Sequence, residues 1–322
     1  MADAIMLRKG GIVRKTAAAT VAGGEVHQLP DGRASWKEGL ASASAGDSVT
    51  MRAEPVQVKM TKAAGFVAKK GNRAYWDHST NAINYKKVGD RDFYVGRFAE
   101  DAASADTTCV VTQNIDPRYD IELSRDGFSS VIAGTAAAGG FGYPVNLGGA
   151  LVFELTATSE AQKVDALSVD TFAKGAKAFV EGAFRVISDG AGTAVDVSMG
   201  VANATHATDA DSITESVFIH LDANNTNINA ESDDGTTEVV ATDTTTDYVE
   251  GSALANRVEF WMDFSDPADV QIYVNGSLIL PSTVFNINAA VGPLALLVHV
   301  EKTSSTDTYK LAIDWLRVRF QE

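Results

Sequence analysis

The 322-residue chain, 34.0 kDa, is about twice the length of an ordinary single domain, which predicts two compact domains or one domain with a large insertion. Hydrophobic residues at 45%, charged residues at 21%, and 27 glycines against 7 prolines exclude a coiled coil, a collagen-like repeat and a disordered chain. No apolar run reaches the roughly 18 residues of a membrane span, so no membrane association is expected, and the one cysteine, Cys109, excludes an intrachain disulfide or a thiolate metal cluster.

Charge is divided along the chain. Residues 1–120 sum to +3 and residues 121–322 to −18, a near-neutral half able to dock and an acidic half unsuited to nucleic acid. Residues 1–20 carry Arg8, Lys9, Arg14 and Lys15, a pattern that fits a solvated tail or an extended N-terminal binding arm.

From Val49 the apolar positions alternate: Val49, Met51, Ala53, then Val56, Val58, Met60, then Ala74 and Trp76. Turn signals at Ala45-Gly46-Asp47, Ala64-Gly65, Lys70-Gly71-Asn72, His78-Ser79-Thr80-Asn81 and Val88-Gly89-Asp90 separate strands of about five to eight residues, as in a small β-barrel. The blocks Ala45-Gly46-Asp47-Ser48-Val49, Gly71-Asn72-Arg73-Ala74-Tyr75-Trp76-Asp77, Tyr94-Val95-Gly96-Arg97-Phe98 and Ala105-Asp106-Thr107-Thr108-Cys109-Val110-Val111 follow one another in an order that resembles the capsid decoration (cement) proteins of tailed bacteriophages, over about residues 12–115. Two positions depart from that pattern, Asn72 for aspartate and Ala105 for the glycine before Asp106. The resemblance implies a non-enzymatic virion protein on the outer surface of a capsid, often a homotrimer, with the major capsid protein as its partner. Arg8, Lys9, Arg14, Lys15, Tyr75 and Trp76 are then the candidate capsid-binding residues. Tyr75 and Trp76 fit core positions as well as interface anchors.

Residues 121–149 are expected to be a linker, on the seven glycines between Gly127 and Gly149 and a charge-free run. Residues 150–322 alternate clearly. Val258, Phe260, Met262 and Phe264 share one face and Glu259, Trp261 and Asp263 the other, which predicts a half-buried strand. Asn275-Gly276 predicts a tight hairpin, and a change of phase from Tyr309, Leu311 and Ile313 to Leu316, Val318 and Phe320 predicts a bulge near Trp315.

Glu259-Phe-Trp-Met-Asp-Phe264, Val270-Gln-Ile-Tyr-Val-Asn-Gly276 and Ile313-Asp-Trp-Leu-Arg-Val318 resemble the concanavalin-like, laminin-G-like jelly-roll sandwiches. That resemblance implies a domain that often binds glycans, and Glu259, Trp261 and Asp263 are its candidate glycan-binding residues. Glu259 and Asp263 would stand roughly 13 Å apart on a strand, too far for the carboxylate pair of a glycosidase. Asp222–Asp234 is rich in oxygen ligands, but the reading preferred is a solvated hairpin; His206, His220 and His299 are too dispersed for a metal set. No catalytic residue, metal or cofactor is expected. The sequence thus predicts an all-β chain: an arm (1–20), a barrel-like decoration domain (21–120), a linker (121–149) and a jelly roll (150–322). The alternative is a glycan-binding virion fibre or adhesin that the first domain only anchors.

Overall fold

The computed structural model describes residues 11–39, 41–116, 119–123, 127–134, 145–147, 149–190, 192–207 and 209–321, and at 145–147 the backbone alone. Arg8 and Lys9 lie outside them. The described residues hold no α-helix, and the chain divides into two compact units, Met1–Pro117 and Arg118–Glu322.

The first unit opens with β1 (Ile12–Thr16), β2 (Val26–Gln28), β3 (Ala34–Lys37) and β4 (Ser48–Arg52), an antiparallel sheet in the order β1-β4-β3-β2. A small core of Val13, Val21, Leu29, Val49 and Met51 lies on it. Residues 12–16 are therefore not arm but an edge strand. All five pair with β4, and Val13, 1% exposed, anchors them through its side chain.

The second sheet holds β5 (Gln57–Thr61), β6 (Arg73–Asp77), β7 (Ala82–Asn84), β8 (Phe93–Phe98) and β9 (Thr108–Gln113) in the order β5-β9-β8-β6-β7. The predicted barrel is present. The Ala63 amide donates to the Ile83 carbonyl at 2.9 Å, and a parallel bridge joins Lys62 to Ile83, returning β7 to the end of β5. The Val95-Gly96 block has a steric cause: a Cβ at Gly96 would stand 2.1 Å from the Thr112 carbonyl oxygen. The two sheets are tied by Asn114, whose side chain accepts from the Ala34 amide (2.8 Å) and donates to the Ala34 and Ala53 carbonyls (2.9 and 2.8 Å).

Four turns of this unit share one design. At Ala22–Glu25, Ser44–Asp47, Gly89–Asp92 and Ala103–Asp106 the last residue donates its amide to the first carbonyl, and its carboxylate accepts the first amide at 2.7 Å. The turn at Asp106 forms without a glycine at Ala105, which does not adopt a positive φ.

The second unit is a jelly-roll sandwich of β10 (Ile121–Glu122), β11 (Phe128–Ser129), β12 (Ile132–Ala133), β13 (Val145–Leu147), β14 (Ala150–Leu155), β15 (Glu160–Phe172), β16 (Ala178–Ser188), β17 (Val195–Ala202), β18 (Ser216–Asp222), β19 (Asn227–Asp233), β20 (Glu238–Asp247), β21 (Val258–Asp263), β22 (Gln271–Val274), β23 (Ser277–Leu278), β24 (Leu294–Ser305) and β25 (Tyr309–Phe320). One sheet runs β13-β14-β25-β16-β21-β22-β23 with β10 also on β25. The other runs β11-β15-β24-β17-β18-β19-β20 with β12 also on β15. The described parts of 121–149 are thus edge strands of the sandwich rather than a linker. Phe128 and Ile132 pack against its core, which holds them despite the glycines around them.

Alternation assigns the faces. Val258, Phe260, Met262 and Phe264 enter the core with Leu311, Ile313, Leu316 and Val318. Register shifts by one residue where Ala183 faces Trp315 and Phe184 faces Ile313, leaving Asp314 as the bulged residue that rephases β25. Asn275 (φ 48°) and Gly276 (φ 78°) form the predicted hairpin turn, both in the left-handed region a type I′ turn requires.

On β16 the core position opposite Phe260 is Gly182, and a Cβ there would stand 2.1 Å from the Phe260 ring. Gly182→Ala is expected to cost about 1–3 kcal/mol by forcing the ring from its seat. Denaturant unfolding of the variant checks this, and unchanged stability contradicts the packing described.

Candidate functional site: a histidine–carboxylate row on one sheet

In the sheet containing β17, the residues facing away from the core form a row set by register. Asp165 of β15 pairs with His299 of β24, His299 with Ser198 of β17, Ser198 with His220 of β18, and His220 with Asn229 of β19. Since neighbouring strands lie about 4.8 Å apart, adjacent side chains of the row are in reach of each other. Glu301 and Asp222 lie two residues along from His299 and His220. Glu231 lies opposite Phe218 on β19.

The row is buried although it faces outward. His299, His220, Asp165, Ser198 and Glu231 are exposed by 1, 5, 0, 1 and 6%. The cover is the connection between β17 and β18. Its Ala210 and Ile213 pack with Ala202, Phe218 and Leu297, and its Thr205 hydroxyl donates to Asp165. Its short 3-10 turn, Ala210–Ser212, brings Asp211 over His220.

Two imidazoles sit among carboxylates. His299 Nδ1 lies 2.7 Å from Asp165 Oδ1 and Nε2 2.9 Å from Glu301 Oε2, while Lys163 Nζ stands 3.3 Å from Asp165. Desolvation pulls the His299 pKa down, but Asp165 and Glu301 outweigh it and set it at about 9. His220 Nε2 bonds Asp222 Oδ1 at 3.1 Å, and Nδ1 faces Ser198 Oγ (3.3 Å), Asp211 Oδ1 (3.5 Å) and Glu231 Oε1 (3.6 Å). Desolvation again opposes charge there, and three carboxylates override it, raising the pKa to about 12. Burial raises Asp196 to about 6 and also lifts Glu231.

Ser198, His220 and Asp222 have the composition of a hydrolase triad without its working parts. Ser198 is sealed in mid-strand, with no exposed elbow, and an imidazole held protonated cannot accept the serine proton. What the arrangement does supply is a buried imidazole ringed by carboxylate oxygens.

The residues expected to bind glycan lie on the other sheet, on a filled face. Trp261 is 4% exposed with its ring 6.0 Å from Tyr273. Glu259 accepts from Arg257 at 2.9 Å, and Asp263 accepts from Ser265 and from Gln321 at 2.9 Å. Beside them Arg317 stacks between Tyr119 (3.9 Å) and Trp315 (4.8 Å), and Glu181 takes bonds from Tyr119, Arg317 and Arg319. The strand is buried on both faces, not half-buried, so Trp261 offers no open platform. Asp222–Asp234 is likewise no solvated hairpin: it contains all of β19, with Ile228 and Ala230 in the core.

In the first unit Arg14 is exposed and Lys15 half-buried on β1. Trp76 is 8% exposed, and Tyr75 stands edge-on to Tyr94 at 5.7 Å. Trp36 and Trp76 line a cleft of about 300 Å³ with Gly24, Val26 and residues 58–61. Cys109 is buried, which pushes its thiol up to about 12 and leaves it unreactive.

Residues 7–113 match the family described as phage cement protein, the family that the successive turn and strand blocks resemble. No curated protein matches the chain. Among solved structures, the potassium-bound carbohydrate recognition domain of Emp46p is 10% identical, covering 62% of this chain and 98% of its own, with a TM-score of 0.40. A LamA variant from Zobellia galactanivorans in complex with laminaritriose and laminaritetraose is 9% identical over 63% of this chain and 100% of its own, with a TM-score of 0.41. Neither likeness bears on ligand or activity.

His299 generates a pH prediction. Its folded pKa, about 9, exceeds the 6.5 of the free side chain, so its contribution is fully present below pH 6.5 and is lost as pH rises through 9. The change is roughly 3 kcal/mol. Unfolding measured from pH 6 to 10 should show this decline, with a shallower slope in His299→Gln; parallel slopes contradict it.

Proposed function

We propose that the chain is a head decoration protein of a tailed bacteriophage, seated on the outer surface of the capsid through its first unit and acting as a structural stabiliser rather than a catalyst. The observation that carries this is the family match over residues 7–113, which spans the four-stranded sheet and the barrel. The charge division agrees with it. The docking unit is the near-neutral half, and the acidic sandwich stays solvated through self-repulsion. A protein that binds only the assembled shell shifts the shell away from disassembly by mass action, with no need for an active site.

The docking surface proposed includes Arg14 and Lys15 on β1 and the cleft flanked by Trp36 and Trp76, where an apolar capsid side chain would bury surface between two large rings. Residues before β1 are the proposed arm, adding main-chain hydrogen bonds along a capsid strand edge. A trimer on the lattice is the proposed assembly. Glycan binding through Trp261 gains no support from its buried position.

The test is sedimentation of the purified chain with undecorated, expanded phage heads. The intact protein should pellet with the heads, and Arg14→Glu, an exposed change, should weaken binding about tenfold. Truncation should begin at residue 11, because deleting residues 1–20 would also remove β1 from its sheet. Failure of the intact chain to pellet with heads overturns the proposal.

A further inference from the structure

On the Nδ1 side of His220 the spacing is too long for a hydrogen-bonded ion pair. A charged N–H···O bond closes to about 2.7–2.9 Å, and a contact of about 3.6 Å is no hydrogen bond. Yet Nδ1 stands 3.3 Å from Ser198 Oγ, 3.5 Å from Asp211 Oδ1 and 3.6 Å from Glu231 Oε1, close to none of the three. Ser198 Oγ is in turn 3.5 Å from Glu231 Oε1. The His220, Asp211 and Glu231 donor atoms all lie within 4.8 Å of one another.

Those four separations have the length of edges in a coordination polyhedron. A tetrahedral zinc site with bonds of about 2.1 Å has ligand–ligand edges of about 3.4 Å. We infer that Asp211, His220 and Glu231 bind a divalent transition-metal ion of the zinc class, with the Ser198 hydroxyl at the fourth corner.

The surroundings are those of such a site. Asp222 accepts from His220 Nε2 at 3.1 Å and is itself held by Asn229 Nδ2 at 3.2 Å, so Nδ1 presents its lone pair inward when a metal is bound. The imidazole nitrogen argues against calcium, which takes six to eight oxygens, roughly. Three carboxylates around one imidazole leave an excess of negative charge that a proton on Nδ1 relieves by one and a divalent ion by two. Asp211 supplies the entry, its side chain 52% exposed while those of His220 and Glu231 are 6 and 8% exposed. Because Asp211 sits on the 3-10 turn over the sheet, the ion would also clamp the β17–β18 connection to β18 and β19.

Chelator-treated, tag-free full-length chain is titrated with ZnCl₂ by calorimetry and with CoCl₂ by visible absorption. One equivalent per chain is expected, with the intense band of tetrahedral cobalt and tighter binding at higher pH, since metal displaces a proton from His220. Asp211→Asn, whose metal-free fold is verified by circular dichroism before titration, should weaken zinc binding at least tenfold, and Asp222→Asn about 10–100-fold. No saturable equivalent, a weak octahedral cobalt spectrum, or unchanged binding in Asp211→Asn overturns the inference. None of these readouts depends on the capsid.

Discussion

The strict two-residue alternation of antiparallel strands governs the molecule, because the central strands of both sandwich sheets are buried on both faces. One face of each meets the other sheet through Phe260, Met262, Leu296 and Val298, residues exposed by 1% or less. The opposite face must then satisfy whatever polar groups it carries without water. On one sheet the answer is guanidinium–aromatic stacking around Arg317 with Glu181 beneath it; on the other it is two imidazoles among carboxylates. A register slip of one residue in β17 would send Ser198 and Asp196 into the core and Val197 and Met199 to the polar side. The hydrophobic core therefore fixes the polar row as firmly as it fixes itself.

Local features were legible in the sequence because their causes are local. Asn275-Gly276 demands left-handed backbone, and the phase change across Trp315 requires one extra residue, which is Asp314. Asp47 is equally local, set by the turn it closes, whereas Gly96 answers to the Thr112 carbonyl of the neighbouring strand. The His220–His299 row was hidden because it exists only once β24 and β18 flank β17, and nothing in the spacing of those histidines says which strands will be neighbours. Trp261 shows a second limit. Alternation placed it correctly off the core face but carried no information about Tyr273 and the other groups that fill that face. Arg14 and Lys15 looked like part of an arm because only Val13, one buried side chain, marks β1 as a strand.

The two units divide the physical work. The first is tied together by turns closed through their own carboxylates and by Asn114 and Gln113 reaching carbonyls of the other sheet, so a small core is supplemented by directional bonds. The second buries an extensive apolar interior and stores its charge on the sheet exteriors and loops.

Cryo-electron microscopy of heads saturated with the full-length protein tests the central claim most directly, by asking which unit touches the shell. The account predicts ordered density at lattice positions that fits the four-stranded sheet and the barrel, with β1 and the Trp36–Trp76 cleft facing capsid protein. Ordered density in which the acidic sandwich contacts the shell and the first unit does not would contradict it.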